Sequence, residues 1–74
     1  MTVLYVVTVE VDPAAAHRWN AWHSDVHVPE VLREPGFVGC RKLRDVQPAP
    51  DGWERYVVMF EMTSLEAFRR YDGS

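Results

Sequence analysis

The stretch from Trp19 to Phe37 constrains this chain more than any other. It holds two of the three tryptophans, two of the three histidines, Pro29, and the Pro35-Gly36 pair. Val28 precedes a proline and is pushed out of the α region, so a helix stop is predicted near His27. Val28 to Glu34 is then an irregular or one-turn segment with Val31 and Leu32 tucked inward. Pro35-Gly36 is a turn in which the glycine supplies φ > 0.

The rest of the chain is read outward from this stretch. Thr2 to Val11 alternates as a strand, with Val3, Tyr5, Val7, Val9 and Val11 on one row and Leu4, Val6, Thr8 and Glu10 on the other. The first row should face the helices. The second begins apolar, which suits a face covered by something other than bulk water. Asp12-Pro13 reads as a helix start, Asp12 capping and Pro13 first in the helix. Ala15, Trp19, Trp22 and Val26 form the expected core stripe, with Ala16, Asn20, His23 and His27 on its flank. Phe37 to Arg44 is a second strand. Strict alternation puts Phe37, Gly39, Arg41 and Leu43 on one side and Val38, Cys40, Lys42 and Arg44 on the other. Its positive charges suit an exposed edge.

Asp45 to Gly52 is a proline-rich hairpin loop. Trp53 to Met62 is a third strand, apolar on both faces for most of its length and so central. Thr63 to Glu66 reads as a capping box, with Thr63 as cap and Glu66 reaching back. Leu65, Ala67, Phe68 and Tyr71 then form a second amphipathic helix. The fold class is α+β, a ferredoxin-like β-α-β-β-α(-β) unit with an antiparallel sheet and the final strand missing. Residues 1–74 form one domain. The open edge of the first strand implies an incomplete chain or a neighbouring chain that covers it.

Composition narrows the partners. At 74 residues the domain is small, and one this size buries only about 60% of its unfolded surface. One cysteine permits no internal disulfide, so a second copy of the chain is the expected source of further burial. A net charge of −3 argues against nucleic acid and anionic membrane. No apolar run reaches the ~18 residues of a membrane span, and the N-terminus lacks signal-peptide features. Together with the lone thiol of Cys40, this reads as a cytoplasmic protein. The topology also hosts RNA-recognition domains, but their Gly-aromatic signature is absent, since Gly52-Trp53 is followed by Glu54-Arg55.

Trp22-His23, His27-x-Pro29, Pro35-Gly36-Phe37 and the basic strand after them resemble the dimeric α/β-barrel superfamily, nearest its EthD-like members and related small bacterial proteins. The resemblance covers nearly the whole chain, through Tyr71. It implies a homodimer built sheet to sheet, with a small-molecule pocket between sheet and helices or at the dimer face. It also implies activities ranging from lactone isomerases and polyketide cyclases to quinone-forming monooxygenases, alongside proteins with no known activity. The resemblance matches His27 to a histidine that lines the pocket in some relatives.

His23 lies one helical turn before His27, so both rings can point at one ligand. His27 as base and His23 as acid, side by side, suit isomerisation, cyclisation or lyase chemistry on an aromatic or polyketide-like compound, with no cofactor. Oxygenation of an electron-rich phenol or enol is a related option. The competing reading has His27 capping helical carbonyls or pairing with Glu30 or Glu34, and His23 as helix surface. Zinc would need a third ligand, which spacing does not place, though Cys40, Glu30 and Asp25 are options. Trp19 and Trp22 are core residues that could also wall a pocket. Asn20, Tyr5, Tyr56 and Arg41 are candidate polar contacts for the ligand. The alternative class is a non-catalytic ligand-binding or dimerisation module.

Overall fold

Alternation along β1 (Val3–Val11) makes a two-faced strand. Its odd-numbered side chains are half-buried or buried and its even-numbered ones exposed. The computed structural model describes residues 2–73. Within them β3 (Glu54–Met62) lies between β1 and β2 (Phe37–Arg44), antiparallel to both. The central place follows from its composition. Tyr56, Val58, Phe60 and Met62 are buried on the helix side, and Val57 and Met59 are half-buried on the other. The order is strand, helix, strand, strand, helix, an α+β arrangement compatible with a ferredoxin-like unit. Among the described residues no strand pairs with the outer edge of β1, and no helix is long and apolar enough to cross a membrane.

The core sits in two clusters on the helix face of the sheet. One joins Val11, Ala16 and Tyr56, with Trp19 packed against them. The other joins Val31, Val58 and Phe60, with Tyr5, Phe37 and Cys40 packed alongside. The opposite face is open: Leu4, Val6, Val38 and Leu43 stand exposed on it.

The first helical segment departs from expectation at both ends. Asp12 does not cap it. Its Oδ1 accepts from the Ala14 N–H at 2.9 Å, and its carbonyl accepts from the Ala15 N–H at 2.8 Å. Pro13 to Ala15 are thereby used in a tight turn, and α1 (Ala16–Trp22) begins only after it. At the far end the chain does not stop at His27. It widens into a π-helical turn over His23–His27 and continues as α2 (Val28–Val31), with Val28 fully helical at φ −60 and ψ −47. Proline is tolerated here because it falls at the start of a new segment, where its missing N–H costs little. The carbonyl its ring would strike, that of Asp25, lies inside the wider turn.

The inner row of this helix differs from the expected stripe. Ala16, Trp19, His23, His27 and Val31 form the inner row. Trp22 and Val26, expected in the core, are 48% and 44% exposed. β2 shows a comparable shift. A bulge between Phe37 and Gly39 inserts Val38, so Phe37 and Cys40 reach the same side of the sheet, which strict alternation forbids. α3 (Leu65–Tyr71) is capped by Ser64 rather than Thr63, Ser64 Oγ accepting from the Ala67 N–H at 3.1 Å. Glu66 pairs forward with Arg70 at 2.6 Å instead of reaching back. In the hairpin loop Asp45 and Asp51 each accept a backbone N–H two residues on, at 2.9 and 3.0 Å, and Ala49 is buried beneath them.

Candidate functional site

The inner row of the helix and the apolar face of the sheet do not close completely on each other. Between them lies a hollow of about 240 Å³. Val7, Val58 and Phe60 form its floor, Trp19, Trp22, His23 and His27 its helix wall, and Tyr5 and Tyr71 its far end. A second depression of about 280 Å³, at the junction of Pro35-Gly36 with α3, holds the exposed Glu66–Arg70 pair but neither imidazole nor indole.

The helix wall is two stacked pairs, one turn apart. Trp19 lies on His23 with centroids 4.7 Å apart and planes 23° from parallel. Trp22 lies on His27 at 4.9 Å and 20°. The two imidazoles are 5.5 Å apart. The α-helical spacing of Ala16, Trp19 and His23 puts His23 on the inner face and Trp22 half in solvent, and through the π turn that follows His27 stays on the inner row. His23 is 5% exposed, and its Nδ1 is sealed from solvent with no hydrogen-bond partner among the described residues. A buried polar atom without a partner costs about 1–3 kcal/mol and usually marks a function or a strained site.

Burial, reinforced by the Lys42 ammonium and then by His27, holds the His23 imidazole below its ordinary 6.5. Above that value the ring is neutral in both the folded and the unfolded chain, and it leaves stability unchanged. As pH falls below it, the unfolded chain takes up a proton that the folded chain resists. Stability therefore declines until the pH passes the folded value, after which the loss is constant. The urea midpoint should fall between about pH 7 and about pH 5, and fall less in His23→Phe. Equal declines in the two proteins would assign the acid sensitivity to another group.

Lys42 is a contributor that the sequence reading left on the surface. From β2 its Nζ donates to Ser24 Oγ at 2.9 Å and to the Asn20 carbonyl at 3.5 Å. It also lies 5.2 Å from the centre of the Trp19 ring. Tyr71, expected only as part of the second amphipathic helix, reaches the hollow. Nothing short of the tertiary packing signals either role.

Of the sequence-based candidates, His23, His27, Trp19, Trp22 and Tyr5 come together around the hollow. Asn20, Tyr56 and Arg41 lie outside its lining. Asn20 is engaged elsewhere: its side-chain amide donates to the Ala16 carbonyl and to the Tyr56 oxygen, both at 2.9 Å. Tyr56 in turn donates to Glu54 at 2.5 Å, a bond that heads the causes raising its pKa. This chain of bonds clamps α1 to β3. Arg41 is exposed opposite Met59. Among the described residues no third His, Cys, Asp or Glu joins the histidine pair as a metal-binding group.

Residues 2–73 match the model of a family described as "Domain of unknown function (DUF4286)". No curated protein and no solved structure matches the chain.

Proposed function

The chain belongs to the DUF4286 family, and we propose that it is a cytoplasmic, homodimeric small-molecule-binding protein of the dimeric α/β-barrel kind, nearest the EthD-like members. The observation that carries this reading is the pair of Trp–His stacks facing one sheltered hollow. The aromatic walls fit a flat aromatic or polyketide-like compound. The lining residues carry no carboxylate, lysine or arginine, which favours a ligand without a fixed charge.

The chemistry proposed is cofactor-free proton transfer: isomerisation, cyclisation or lyase cleavage. The roles are the reverse of those expected from the sequence: His23, kept neutral by its burial, acts as base and His27 as acid. Deprotonation of a phenol or enol ahead of oxygenation is a variant of the same role. The exposed Leu4, Val6, Val38 and Leu43 supply the apolar sheet face that a second copy would cover. That face also supports the alternative, a non-catalytic ligand-binding or dimerisation module in which the imidazoles serve only as packing.

The test is a thermal-shift screen of planar aromatic and polyketide-like compounds, followed by turnover assays on the hits with wild type and His27→Ala. A binding compound should raise the melting temperature, and the rise should grow with the logarithm of its concentration above the dissociation constant. Turnover should fall by about 10²–10⁴-fold in the variant. Unchanged turnover in a folded His27→Ala protein would remove the catalytic role. A dimer by native mass spectrometry that answers to no compound would favour the alternative.

A further inference from the structure

Beyond the histidine pair, the strand facing it carries a residue placed to govern how one of them behaves. We propose that Lys42 is a positioning residue for His23: from β2 it holds the π-helical turn in place and sets a fixed positive charge beside the imidazole, so that the ring remains a proton acceptor. The inference rests on the reading of His23 as the base of the hollow.

Three contacts converge on this role. The Lys42 ammonium donates to Ser24 Oγ at 2.9 Å, on the residue next to His23. It also approaches the Asn20 carbonyl at 3.5 Å, which accepts the backbone N–H of His23 itself. Finally, it stands 5.2 Å from the centre of the Trp19 ring, the ring that stacks on the His23 imidazole at 4.7 Å. The residue next to His23, the carbonyl that accepts its backbone N–H and the ring that stacks on its imidazole thus each contact the same ammonium.

The groups around His23 leave this charge without a counter-charge in the hollow. Its own helix brings His27 and, on the outside, the exposed Asp25. β2 brings Lys42 and the Cys40 thiol. β1 and α3 bring the phenols of Tyr5 and Tyr71. From β3 the Tyr56 hydroxyl, behind Trp19, is already bonded to Glu54. A second proton on His23 would place a cation near Lys42 and His27 with no carboxylate in the lining, and Nδ1 has no acceptor among the described residues.

The experiment is an NMR titration of His23 in the full chain without ligand, comparing wild type, Lys42→Gln and Lys42→Arg. Lys42→Gln keeps a polar end for Ser24 and loses the charge, so the His23 midpoint should rise above that of wild type. Lys42→Arg keeps the charge, and its midpoint should stay low. A midpoint in folded Lys42→Gln equal to that of wild type would overturn the proposal and leave Lys42 as a brace between strand and helix. If Lys42→Gln does not fold, the wild-type protein is titrated from about 0.01 M to about 1 M salt, over which the screening length falls from roughly 30 Å to roughly 3 Å. A His23 midpoint that rises with salt supports the charge effect, and one that does not move overturns it. Because no ligand is involved, failure here is distinct from failure of the hollow to bind a compound.

Discussion

Gly36→Ala should destabilise this domain by about 2–5 kcal/mol. Gly36 has φ +92, a left-handed conformation that costs an L-residue roughly 1–2 kcal/mol. A Cβ there would also collide with the Cβ of Ala67, on the face of α3 that packs down onto the turn. Forcing extra atoms into such a contact costs typically about 1–3 kcal/mol more. The residue cannot escape by moving, since its carbonyl accepts the Thr63 N–H at 2.9 Å and ties the entry of β2 to the start of α3. Native domains hold about 0.05–0.15 kcal/mol per residue, so a chain of 74 residues has little to spare.

The other glycines supply the controls. Gly52 has φ +85 but open space around a would-be Cβ, so Gly52→Ala should incur only the backbone cost. Gly39 has neither constraint, and Gly39→Ala should be near neutral. Urea midpoints should rank Gly39→Ala above Gly52→Ala above Gly36→Ala. Equal midpoints for Gly36→Ala and Gly52→Ala would show that the approach of α3 is not tight.

Phe60→Ala should cost a similar amount, about 3–5 kcal/mol. Phe60 is 4% exposed on the central strand. Its ring stacks on Tyr5 at 5.9 Å and meets Phe37 edge-on at 5.5 Å, so it joins all three strands through their side chains. Removing it leaves a void that the rigid sheet cannot close. The same ring is part of the floor of the hollow, so ligand binding should weaken along with stability. Phe60→Leu keeps most of the volume and should cost less than about 1.5 kcal/mol. A Phe60→Ala loss no larger than that of Phe60→Leu would mean that the surroundings collapse to fill the gap.

The strands and turns were legible because their signals are local. Alternation in Val3 to Val11 is a period of two that burial follows residue by residue. The need for φ > 0 at Gly36 is written in the Pro-Gly pair. A central third strand follows from its two apolar faces, and the hairpin loop from its prolines. The end of the first helix was misread because Pro29 was weighed as a stop. A proline stops an α-helix only if the preceding turn keeps its pitch, and here the turn widens. The second helix was read one residue early because Thr63 and Ser64 are both capping residues. Only the path of the chain decides which carries the extended φ and ψ of the cap.

The site divides in the same way. Sequence alone brought His23 and His27 within one helical turn of each other and supplied the indoles beside them, since residues three and four apart on a helix are neighbours wherever the helix lies. It did not settle which face of that helix is buried. An α-helical phase through Ala15, Trp19, Trp22 and Val26 hides the tryptophans and leaves the histidines on the flank. The helix instead lies on the sheet through Ala16, Trp19 and His23, which buries His23 and exposes Trp22, and the π-helical turn that starts there resets the phase of the residues after it. The bulge at Val38 does the same for β2. Both irregularities alter the count of residues per turn or per rung by one, at positions where local propensity is nearly indifferent. Packing against the sheet decides them, because only there do the buried areas of the two alternatives differ.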